Sequence, residues 1–198
     1  MSSNMVAILY LISALLFIFA LRGLSHPESS RTGNIFGIIG MIIAVFTTLM
    51  FKSVLSYYEI GAAILIGGAI GSFIALRIEM TALPQLVAAF HSLVGLAAVF
   101  VAAAAFYDPV AFNIGKVGSI KVASLIEMSI GTFIGAITFS GSVLAFGKLQ
   151  GTISGKPIVF KFQHLINALI FLLIIFLIIF FVVNQSPTIF WTIVVVSI

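Results

Sequence analysis

An all-α integral membrane protein, a polytopic bundle of six complete transmembrane helices with a truncated seventh, is the fold class this sequence predicts, and three observations carry the prediction. Of 198 residues, 62% are hydrophobic and 7% charged, and the mean hydropathy is +1.34. No water-soluble domain of this size could build its surface from that composition. Apolar runs near the ~20 residues that cross ~30 Å of hydrocarbon as a helix recur along the chain, leaving short loops between them. These runs are apolar all round, which excludes a membrane barrel, whose strands alternate apolar and polar side chains.

Reading the apolar runs against the polar breaks places the helices in order. The first, Val6 to Leu21, has no basic residue before it and Arg22 after it. That is the reverse of a cleavable signal peptide, so the segment stays as a helix. The next five are Ile35 to Phe51, Ile60 to Leu76, Leu86 to Tyr107, Val122 to Phe146 and Leu165 to Val183. A seventh opens near Thr188, behind Pro187, with about half the apolar length of a span, so the chain is expected to end inside a helix. The whole of 1–198 reads as one partial membrane domain, with no linker or internal repeat dividing it.

The formal charge of +4 reports orientation and gives no ground for nucleic-acid binding. Arg22, Arg31, Arg77, Lys148, Lys156 and Lys161 fall in the first, third and fifth loops, against Lys52, Lys116 and Lys121 on the other side. This excess puts the N-terminus outside. With no cysteine, disulfides, thiolate metal sites and cysteine nucleophiles are excluded. His26, His91 and His164 do not cluster at metal spacing, and no metal site is expected. No glycine-rich dinucleotide fingerprint occurs, and GTISGK at Gly151 to Lys156 is one residue short of a phosphate loop, so no cofactor-binding residue is assigned. Helix contacts are expected at pairs of glycines four apart: Gly33 with Gly37, Gly67 with Gly71, and Gly131 with Gly135.

Ionisable residues at membrane depth cost about 2.5 to 3.5 kcal/mol each on the insertion scale, and are therefore the informative ones. His91 leads. It lies near the start of the fourth helix, and Ala88, Gly95, Ala98 and Ala102 share its face, a smooth stripe that admits a neighbouring helix or a file of water. Imidazole has an ordinary pKa of about 6.5 and can load and release a proton with modest help. A proton relay and a histidine hydrogen-bonded for packing are both open on these residues. In the fifth helix Glu127, Gly131, Gly135, Thr138, Ser142 and Ala145 form a small and polar strip. Glu127 is either an interfacial carboxylate facing water or the outer mouth of a path through His91, with Ser92, Thr138 and Ser142 as candidate lining. Ser140 and Asn167 are weaker candidates, and membrane hydroxyls usually bond back to their own helix.

Three blocks resemble a known family. SRTGNIFGIIGMIIA (Ser30 to Ala44), IEMTALPQLVAAFHSLVGLAAV (Ile78 to Val99) and EMSIGTFIGAITFSGSVLAFGKLQG (Glu127 to Gly151) are similar, in order and spacing, to the membrane helices that open the beta subunit of the proton-translocating transhydrogenases. The resemblance implies that hydride passes between NAD(H) and NADP(H) on soluble domains while a proton crosses the membrane, with His91 as the membrane histidine, Ser92 following it and Glu127 as the acid that opens the next helix. It implies as partners an NAD-binding alpha subunit and an NADP-binding beta domain, neither contained in this chain, in a dimer of alpha-beta units. It places the assembly in the bacterial inner membrane or its mitochondrial equivalent. This portion alone should be inactive, having no nucleotide site. Gln85 stands where the family leads one to expect glutamate, and Ser140 where it leads one to expect threonine. A stand-alone proton-coupled transporter or channel is the main competing reading, and a purely structural membrane anchor, which would need neither His91 nor the polar strip, is the other.

Overall fold

The structure, a computed structural model, describes residues 3–50, 56–157 and 159–198. Among them are six helices long and apolar enough to cross a membrane, and a seventh, shorter apolar one. The chain is a polytopic all-α membrane protein. It divides into two compact units, Met1–Ser72 and Phe73–Ile198, with the division inside the third helix.

The first unit holds α1 (Ser3–Leu24), α2 (Ser30–Leu49) and most of α3 (Tyr57–Arg77). Lipid gives helices no hydrophobic reason to associate, so backbone approach and polar bonds must hold α1 to α2. Both are present. A Cβ placed on Gly33 would lie 2.8 Å from the Gly23 carbonyl carbon, and one on Gly40 would lie 3.2 Å from the Ser13 carbonyl oxygen. The Ser13 hydroxyl, 2% exposed, donates to the Gly40 carbonyl at 2.7 Å, and Tyr10 and Thr48 share a hydroxyl pair at 2.9 Å. Of the glycine pairs expected to pack, Gly33 and Gly37 both meet α1, whereas Gly67 and Gly71 of α3 have nothing within 4 Å among the described residues.

The second unit holds α4 (Leu83–Tyr107), α5 (Val122–Leu149), α6 (Gln163–Asn184) and α7 (Pro187–Ser197). Its core is aromatic. Phe106 of α4 stacks on Phe190 of α7 at 5.5 Å, and Phe181 of α6 closes the group at 5.1 Å from Phe106 and 5.8 Å from Phe190. Phe181 and Phe190 are fully buried, among neighbours that include Leu125 of α5. Large apolar side chains such as Leu76 (87% exposed) stand open around the helices, as a protein solvated by hydrocarbon requires.

The helices exceed the apolar runs at most ends. Arg31 lies in the first turn of α2 instead of in a loop, and Arg22, Arg77 and Lys148 occupy the last turns of α1, α3 and α5. Backbone hydrogen bonding continues past the hydrocarbon edge, and long basic side chains reach the interface from there. Lys52 and Phe51 lie outside the described residues. The α4–α5 connection, read as plain loop, forms a short hairpin of β1 (Gly115–Lys116) and β2 (Ser119–Ile120), paired antiparallel. The Ile120 backbone N–H donates to Gln185 Oε1 at 3.1 Å, fastening this hairpin to the turn between α6 and α7.

Candidate functional site

The candidate residues lie on α4 and α5, whose pairing is set by two glycines. A Cβ on Gly95 would lie 2.6 Å from the Gly135 carbonyl oxygen, and one on Gly135 would lie 2.7 Å from the Gly95 carbonyl oxygen. Only hydrogen at both positions permits this approach. Fourteen residues further along α5, at the other end of the same pair, the Gln85 side-chain amide donates to the Leu149 carbonyl at 3.1 Å. Together these contacts fix an antiparallel register.

In that register His91 stands one turn from the Gly95 crossing, level with about residues 139 to 143 of α5, the turn that holds Ser140 and Ser142. Gly95 and Ala102, on the small face, are buried. The occupant of that face at Gly95 is α5 itself. His91 flanks the contact and is exposed, while Ser92 next to it is 7% exposed and donates back to the Ala89 carbonyl at 2.7 Å. Thr138 packs against Gly95, and Ser142 is 9% exposed. Ser140 donates back to the Ala136 carbonyl at 3.2 Å.

Glu127 lies elsewhere. It is exposed and lines a groove of about 450 Å³ between the far ends of α4 and α5, with Ser124, Ala98 and Ala105, roofed by Phe112 and Ile114 of the connection. Along the helix axis it is roughly 18 to 24 Å from the level of His91, at ~1.5 Å per residue. The register therefore sets His91 level with the Thr138–Ser142 turn and away from the level of Glu127. Asn167 is exposed at a separate groove of about 230 Å³ shared with Ser197.

Two polar residues were not singled out for the roles they have here. Gln85 clasps the ends of α4 and α5, a role that needs an amide N–H and that only the fold could disclose. Thr132 is fully buried, and its hydroxyl has no hydrogen-bond partner among the described residues. Its spacing from Ser129, which is also buried, marks a second polar face of α5, beside the strip through Gly135.

Comparison with known proteins identifies the family. The family model described as NAD(P) transhydrogenase beta subunit matches residues 6–198. Among curated proteins, the NAD(P) transhydrogenase subunit beta of Rhodospirillum rubrum, and the same-named subunit from a designated strain of that species, are each 58% identical over 164 residues. The match covers 83% of this chain but 35% of the length of either relative. A family model that fits almost the whole chain, which has six helices long and apolar enough to cross a membrane among its described residues, settles the kinship: the chain belongs to the NAD(P) transhydrogenase beta subunit family.

Proposed function

We infer that this chain supplies part of the membrane proton path of a transhydrogenase that couples hydride transfer between NAD(H) and NADP(H) to proton movement. The observation that carries the reading is His91, an ionisable side chain exposed on the flank of α4, level with the hydroxyl-bearing turn of α5. An uncompensated imidazole at that depth is costly in hydrocarbon, so it has to face other polar groups or water. In this reading His91 takes up a proton from one side and releases it to the other, Ser92, Thr138 and Ser142 border its route, and Glu127 lies at the outer mouth.

The nucleotides bind elsewhere in the assembly, on an NADP-binding beta domain and an NAD-binding alpha subunit, in a dimer of alpha-beta units. For coupling, each nucleotide state must favour a different access state of His91, because a ligand shifts only equilibria whose two states it binds unequally. One charge moved through 100 mV of membrane potential gains about 2.3 kcal/mol, enough to displace a ratio between two near-isopotential nucleotides. The excess of basic residues on one side puts the N-terminus outside and the odd-numbered loops in the cytoplasm of a bacterial inner membrane. Without its partners this portion has no transhydrogenase activity.

The test is His91→Ala in the assembled alpha-beta enzyme in membrane vesicles, followed for nucleotide-driven proton uptake and for hydride transfer. Pumping should disappear and the coupled reaction should slow, with assembly retained. Unchanged pumping would make His91 a packing residue and move the path to other helices.

A further inference from the structure

The first unit contains a polar cleft that the proton path does not use. It has a volume of about 530 Å³ and opens where α1 ends and α2 begins. Arg22, His26 and Thr32 line it on the polar side, and Phe19 and Phe36, with ring centroids 6.2 Å apart, wall the side toward the helices. Glu28 lines it as well. Among the described residues neither Arg22 nor His26 pairs with that carboxylate or any other.

The start of α2 adds positive potential. Its first turn has no acidic residue and no side-chain cap; the hydroxyls of the two serines there donate to carbonyls, Ser29 to Gly23 at 2.8 Å and Ser30 to Pro27 at 2.9 Å. The first-turn N–H groups, which have no partner inside a helix, are thus left open beside Arg22 and His26. The close approach of Gly23 to Gly33 brings the end of α1 against that turn. A guanidinium, an imidazole and free N–H groups suit a phosphate, and two phenyl rings below suit an acyl chain.

We propose that this cleft binds a phosphate group, supplied by an anionic phospholipid whose chains lie along Phe19 and Phe36. Arg22 is the principal contact, His26 and the α2 N–H groups complete it, and Glu28 weakens it by like-charge repulsion. The alternative source of the same chemistry is a free phosphate from solution.

The experiment uses the full chain purified in dodecyl maltoside and titrated separately with phosphatidylglycerol, phosphatidylcholine and inorganic phosphate, with bound species counted by native mass spectrometry. Saturable binding of phosphatidylglycerol over phosphatidylcholine, weakened about fivefold or more by Arg22→Gln and by His26→Gln, supports the site with a lipid as its source. Binding of inorganic phosphate that displaces phosphatidylglycerol and is weakened by the same variants supports the site with a soluble source. Equal retention of both lipids without phosphate binding, or variants that bind as the wild type does, overturns it. Should Arg22→Gln fail to fold, Glu28→Gln decides: tighter anion binding supports the site, and unchanged or weaker binding overturns it.

Discussion

Gly95 and Gly135 face each other across α4 and α5 so closely that a Cβ on either would come within 2.6 or 2.7 Å of the other's carbonyl oxygen. Each glycine therefore requires the other, and the pair sets where His91 stands relative to α5. Gly95→Ala and Gly135→Ala should each force the helices apart, at about 1 to 3 kcal/mol, and lower the melting temperature in detergent. Gly131→Ala has nothing within 4 Å to meet among the described residues and should melt within about a degree or two of the wild type. An equal loss at all three positions would refute close approach as the reason for the pair.

The clasp from Gln85 to Leu149 uses an amide donor. In Gln85→Glu an ionised carboxylate cannot donate to a carbonyl, and its charge faces both the negative end of α5 and the positive first turn of α4, two effects of opposite sign. A loss of about 1 kcal/mol is expected, whereas Gln85→Lys, which can still donate to the carbonyl, should stay near wild type. Thermal unfolding of the two variants side by side checks the order, and Gln85→Glu melting above Gln85→Lys would rule out the donor argument.

Thr132 presents a buried hydroxyl with no partner among the described residues. Removing an unpaired buried polar group while keeping the shape should be neutral or stabilising, by up to ~1 kcal/mol, so Thr132→Val should melt no lower than wild type. A clear drop would mean that the hydroxyl is bonded in the working protein.

Phe181 joins Phe106 and Phe190 in the aromatic group that ties α4, α6 and α7 together. Phe181→Ala removes a fully buried ring and should cost about 3 to 5 kcal/mol, enough to abolish extraction of a monodisperse protein. Phe176→Ala, at an exposed ring 60% open, is the control and should extract normally.

His91 is exposed on the flank of α4. His91→Ala should therefore change stability by no more than about 0.5 kcal/mol, read from melting in detergent. A large loss of stability would show instead that His91 holds the packing together, and a loss of pumping in that variant could no longer be read as loss of a relay.

The element types, their order and the membrane as their solvent were all legible in the sequence, because hydrocarbon tolerates only helices of about 20 apolar residues and closed barrels. The blocks around His91 and Glu127 likewise pointed to the family that the comparisons establish. Helix ends were less legible: α2 begins at Ser30, well before its apolar run, because hydrogen bonding and not hydropathy ends a helix. Glycine spacing marked faces without saying which would be filled, and Gly135 meets Gly95 while Gly131, on the same strip, meets nothing within 4 Å among the described residues. Only the tertiary structure decided that His91 belongs level with the Ser140–Ser142 turn and a long way from Glu127, that Gln85 is a clasp, and that Thr132 is left without a partner. Each of these depends on the register between two helices. A register comes from contacts between residues 40 to 64 positions apart, such as Gly95 with Gly135 and Gln85 with Leu149, and periodicity along a single helix contains no record of it.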